Sequence, residues 1–177
     1  MPRNALVLAA SVLYGIFVCI AVLWFWIRER QHRLSEIAVG DDAMWSLLLG
    51  AAVGLGVSGV IWLGVRYLKQ FSKLEGRLQE FIGELNETEI IAIAMTSAIG
   101  EEMLFRGALQ DHLGGYWYLS ALVFGLLHTG PGLLLWAGVA TVLGLLFSVM
   151  VHFGFGLLSV TVAHALINFI SLRRMSL

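Results

Sequence analysis

The chain repeats apolar stretches of about 20 residues, the length an α-helix needs to cross the hydrocarbon core of a bilayer. No other feature limits its possible folds as strongly. The first stretch covers 4–27, with Arg3 before it and Arg28, Arg30 and Arg33 after it. It is too long for the core of a signal peptide and no small-residue cleavage site follows, so it reads as a retained span. Further spans are expected at 43–65, 90–110, 133–150 and 153–172. A shorter apolar piece, 116–128, ends at Thr129-Gly130-Pro131-Gly132. The expected fold is an all-α polytopic membrane bundle with five or six membrane helices, depending on whether 116–128 crosses fully or joins a broken helix. Composition agrees: 59% of the 177 residues are hydrophobic and 13% charged, against about 45–50% and about 25% in soluble domains. The net charge of −1 gives no field to recruit nucleic acid. Cys19 is the single cysteine, which excludes an internal disulfide and a cysteine-based metal cluster.

Residues 66–89 follow a different pattern. Leu68, Phe71, Leu74, Leu78, Phe81, Ile82 and Leu85 recur every three or four positions, with Lys69, Lys73, Arg77, Glu80 and Glu84 between them. This predicts one amphipathic helix on the membrane surface or across the bundle. The expected organisation is therefore two N-terminal spans in 1–65, a connecting helix in 66–89 and a core in 90–172, all within one integrated membrane domain. Asn86 with Glu89 three residues later resembles a helix cap. With six spans, Arg66, Lys69, Lys73, Arg77, Arg173 and Arg174 fall on one side of the membrane, and the positive-inside rule puts both termini in the cytoplasm.

Most charges lie between spans, but Glu101, Glu102 and Arg106 lie within the third. A charge at mid-membrane costs roughly 2.5–3.5 kcal/mol even on the lenient insertion scale, so three on one helix require partners or a water-filled cavity. Glu102 and Arg106 are four apart and share a face, where they can pair. Glu101 lies about 100° round from Glu102 and is left to face the bundle interior. His128 ends the short apolar piece. His164 and Asn168, also four apart, share a face of the last span. If these groups converge, a carboxylate and an imidazole can deprotonate a water, while a second imidazole and an amide donate to an oxyanion. The competing reading is that each polar residue only joins helices together. That reading accounts for a lone histidine, but it does not call for an adjacent glutamate pair with an arginine.

Three motifs run in order: Glu101-Glu102-Met103-Leu104-Phe105-Arg106, Phe124-Gly125-Leu126-Leu127-His128 and His164-Ala165-Leu166-Ile167-Asn168. As E-E-x-x-x-R, F-x-x-x-H and H-x-x-x-N they resemble the CPBP family of intramembrane glutamic endopeptidases, which includes the type II CAAX prenyl proteases and the abortive-infection proteins. The resemblance spans about residues 88–172. It implies that Glu101 is the catalytic glutamate and His128 its partner in activating water. It further implies that His164 and Asn168 form the oxyanion site, with Glu102 and Arg106 supporting it. No metal and no other cofactor is implied. The implied partners are the bilayer and a peptide or protein substrate in or near it, with no nucleic acid. The short chain and loops point to a prokaryotic cytoplasmic membrane.

Several alternatives remain open at this stage. Gly56-Val57-Ser58-Gly59 fits the G-x-S-G of a serine rhomboid, but it lies in a small-residue stripe from Gly50 to Gly59 that close helix packing explains. A zinc protease would use Glu101, His128 and His164 as three ligands, although no H-E-x-x-H is present. A proton-coupled transporter or a non-catalytic scaffold or immunity protein would also carry buried Glu and His. Among the remaining residues, His112 and Asp111 are expected in a solvated turn with Gly114 and Gly115, His152 at an interfacial junction and His32 in a charged loop.

Overall fold

The computed structural model describes residues 3–130 and 132–176. Pro131, part of the expected break after His128, lies outside the described residues. Among the described residues the fold is all helical. Helix α1 (Arg3–Ile27) leads through the short α2 (Gln31–Val39) to α3 (Ala43–Tyr67) and α4 (Lys69–Ile82). Helix α5 (Glu87–Glu102) then passes without a break into a π-helical segment (Met103–Leu109) and the single turn α6 (Gln110–Leu113). Helices α7 (Tyr118–Leu127), α8 (Leu134–His152) and α9 (Gly156–Met175) complete the bundle. Four of these, α1, α3, α8 and α9, are each long and apolar enough to cross a membrane. The third expected span is less uniform: Glu101 and Glu102 end α5, and Arg106 lies in the π segment that continues it. The short piece forms α7, an apolar helix of 10 residues.

Small residues set the closest contacts. On α3 the buried positions are Ser46, Gly50, Gly54 and Ser58, one stripe at four-residue spacing. A Cβ on Gly50 would collide with the Ser159 carbonyl, and one on Gly54 would meet Ala163 at 3.0 Å. The glycines therefore let the α3 and α9 backbones touch, as small-residue stripes do in membranes. Ser58 Oγ donates to the Gly54 carbonyl of its own helix at 2.8 Å, so the candidate rhomboid serine serves this packing.

Polar ties close both ends of the bundle. At one end Arg77 Nη1 donates to the Gly132 carbonyl (2.6 Å), Arg174 pairs with Glu75 (2.6 Å) and Arg173 with Glu87 (3.0 Å). These hold α4, the loop after α7 and the ends of α5 and α9 together. Helix α4 is amphipathic as its periodicity predicts, with Leu74 buried, but it begins at Lys69 because Leu68 adopts extended backbone after α3. At the other end Asp111 accepts from Arg30 (2.8 Å) and Arg33 (3.3 Å), and its side chain is 9% exposed. The expected solvated turn is thus a part-buried ion-pair junction, because α2 folds back over it.

Candidate active site

Helix α5 is capped as its sequence predicts. The Asn86 side chain accepts from the Glu89 backbone (2.9 Å) while the Glu89 carboxylate accepts from the Asn86 backbone (2.7 Å). From that cap the helix carries Glu101 about 20 Å along its axis at 1.5 Å per residue, to mid-depth in the bundle. Glu101 and Glu102 are both buried, and Glu102 has no exposed surface.

The two glutamates take different partners, as their angular separation requires. Glu102 Oε1 accepts from Arg106 Nη1 at 3.2 Å and from His164 Nδ1 at 2.7 Å. A carboxylate paired to arginine can only accept, so the proton of this short contact sits on Nδ1. His164 therefore bridges the pair, because its Nε2 lies 3.6 Å from Glu101 Oε2. That gap is too long for a direct hydrogen bond. Arg106 is 1% exposed and caged by aromatic rings, its guanidinium 4.4 Å from the Phe124 centroid, 5.6 Å from Phe147 and 6.0 Å from Phe105. Such cation–π contacts strengthen once water is excluded. Gly144 makes room for the group, since a Cβ there would sit 3.1 Å from Arg106 Nη2. The π segment that carries Arg106 starts directly after Glu102, and helical interruptions of this kind are frequent at functional sites.

His128 occupies the C-terminal cap of α7. Its Nδ1 lies 2.7 Å from the Phe124 carbonyl, which can only accept, so Nδ1 carries the proton and Nε2 is the ring's free nitrogen. The ring packs on Phe124 (4.4 Å) and edge-on to Trp136 (5.7 Å). Phe124 also meets the His164 ring edge-on at 6.3 Å and so spaces the two imidazoles. Asn168 lies one turn beyond His164, and its Nδ2 donates to Ser97 Oγ on α5 at 2.9 Å.

A cavity of about 240 Å³ joins these groups. Glu101, His128, His164 and Asn168 all line it, with Tyr14 of α1 and Ser97. Glu102 and Arg106 sit behind its wall. Its apolar side runs past Ile61 and Val65 of α3 to Phe71, Leu74 and Leu78 of α4. Sequence reasoning did not single out Ser97, Tyr14 or Phe147. Each acts through a contact between distant helices, and periodicity carries no signal for that. Among the described residues no group of three or more His, Cys, Asp or Glu has the arrangement to hold a metal ion.

Residues 86–170 match the family model described as type II CAAX prenyl endopeptidase, Rce1-like. Over that stretch the match agrees with the family resemblance drawn from the motifs. No curated protein and no solved structure matches the chain.

Proposed function

With residues 86–170 as an Rce1-like core, we propose that the chain is a glutamic-type intramembrane endopeptidase that needs no metal. Glu101, assisted by His128, takes a proton from a water in the cavity as that water attacks a peptide carbonyl. The free Nε2 of His128 suits it to receive a proton. His164 and Asn168 hold the resulting oxyanion. Asn168 keeps a second amide N–H beyond the one given to Ser97. His164, held through Nδ1 by Glu102, presents Nε2 towards the reacting centre and donates from it as the imidazolium, in which both ring nitrogens carry a proton. Donors fixed before the reaction, in a site with little water, stabilise developing charge at no cost in reorganisation. Glu102 and Arg106 hold this geometry from behind the wall.

The observation that carries this reading is convergence. Side chains from α5, α7 and α9 meet at one cavity in the bundle interior, where unpaired polar groups are expensive. Helix joining alone would not bring a carboxylate, two imidazoles and an amide to the same space. The substrate is a peptide segment in or near the membrane, and the CAAX branch points to a prenylated C-terminus. The apolar side of the cavity, walled by α3 and α4, fits such a chain. Because α1, α3 and α4 also line the cavity, residues 1–65, 66–89 and 90–172 act as one unit, set in a prokaryotic cytoplasmic membrane.

The test is purification in detergent and incubation with an unbiased peptide library that includes farnesylated C-termini. Wild type should cleave, the chelator EDTA should leave the rate unchanged, and Glu101→Ala should abolish cleavage while retaining the melting temperature. Cleavage by Glu101→Ala at the wild-type rate contradicts the mechanism, and loss in EDTA contradicts its metal independence.

A further inference from the structure

Helix α1 lies outside the segment that matches the family model, yet it delivers Tyr14 to the cavity. Tyrosines in membrane proteins collect at the two interfaces. Tyr14 instead falls near the middle of the 25-residue α1, where a phenol O–H needs a partner. Its backbone packs directly on Gly100, the residue before Glu101: a Cβ on Gly100 would approach the Tyr14 carbonyl oxygen to 2.8 Å and its Cβ to 2.9 Å. The glycine thus lets α1 press against α5 one residue before Glu101. Phe17 packs edge-on against the Tyr14 ring at 5.9 Å and in turn against Phe105 at 6.3 Å, which fixes the ring. Tyr14 and Glu101 both line the cavity, so the phenol and the carboxylate share one space.

We propose that Tyr14 is a positioning residue of the site, its phenol O–H donating to the Glu101 carboxylate and holding that group towards His128 and His164. This rests on Glu101 being the general base. The carboxylate has few other fixed contacts, since His164 Nε2 stands 3.6 Å from Oε2 and the ion-paired neighbour Glu102 takes Arg106. A donor from α1 fixes the side-chain torsions of Glu101 and orients its free lone pair. It also makes the N-terminal helix part of the catalytic assembly.

The test compares Tyr14→Phe, which removes one oxygen and keeps the ring, with wild type, with Glu101→Gln and with the lipid-facing control Ile16→Ala on the same helix. The substrate is a farnesylated fluorogenic peptide in detergent. Tyr14→Phe should lower kcat about tenfold or more, the worth of one hydrogen bond to a charged group, with KM and melting temperature unchanged. Ile16→Ala should match wild type. A Tyr14→Phe enzyme with wild-type kcat overturns the proposal, and Glu101→Gln still reports separately on the mechanism beneath it. Infrared spectroscopy supplies a readout independent of turnover. The carboxyl band assigned to Glu101 from the wild-type minus Glu101→Gln difference should move in Tyr14→Phe. An unmoved band overturns the proposal even if no peptide is cleaved.

Discussion

Helices α1 and α9 are both long and apolar enough to cross a membrane, yet they do opposite things. The apolar window of α1 has a mean hydropathy of 2.7 and is 6% buried, whereas that of α9 has 1.4 and is 50% buried. The less apolar helix is the more buried one, the reverse of a soluble protein. Lipid already solvates an apolar face, so burial gains little from hydropathy there, and polarity is driven inward to find partners. Helix α9 turns His164 and Asn168 to the cavity and Ser159 to α3, and α5 meets the first two with Ser97, Glu101 and Glu102. Helices α1 and α3 contribute small residues and aromatic walls. The buried charged groups Glu101, Glu102 and Arg106, with His164, lie in the C-terminal half, and Tyr14 brings a phenol from α1 to the cavity they border.

That contrast yields substitutions of graded effect. His128→Ala, in the polar half, should lower kcat by roughly 10²–10⁴, the usual contribution of a positioned acid–base group, with little change in thermal stability. Arg106→Met should leave the buried Glu102 without its guanidinium and cost about 3–5 kcal/mol, the loss expected when one partner of a buried pair is removed. This is measured as a drop in melting temperature and loss of turnover together. In the N-terminal half, Gly50→Ala forces a Cβ into the Ser159 carbonyl and should destabilise by about 1–3 kcal/mol, as overpacking does. Gly56→Ala on the same helix has nothing within 4 Å and should be neutral. Ser58→Ala removes one intrahelical hydrogen bond and should leave cleavage unchanged. A Ser58→Ala enzyme without activity would return the serine-protease alternative and break the division between the halves.

The sequence announces some of this molecule and conceals the rest, for physical reasons. Long apolar runs announce α1, α3, α8 and α9, because hydropathy is a local property. The Asn86 cap and the Glu102–Arg106 pair were legible for the same reason, their partners lying three and four residues apart. The cost of a charge in lipid made Glu101, Glu102 and Arg106 conspicuous and required them to face inward. What stayed hidden depends on which helices meet. Nothing local says that His164 would stand between both glutamates, 62 residues from Glu102, or that Ser97 would take the Asn168 amide. Asp111 read as solvated because its neighbours are glycines and a histidine, but its ion-pair partners are Arg33 of α2 and Arg30 just before it, 78 and 81 residues earlier. The π segment has no sequence signature here.

The central claim is that a carboxylate inside the bundle activates water. Its most direct test is the turnover of a farnesylated reporter peptide by purified wild type and Glu101→Gln, both matched for melting temperature. The account predicts hydrolysis by wild type and a loss of about a thousandfold or more in Glu101→Gln, within the range for a lost general base. Equal rates in the two proteins would contradict it.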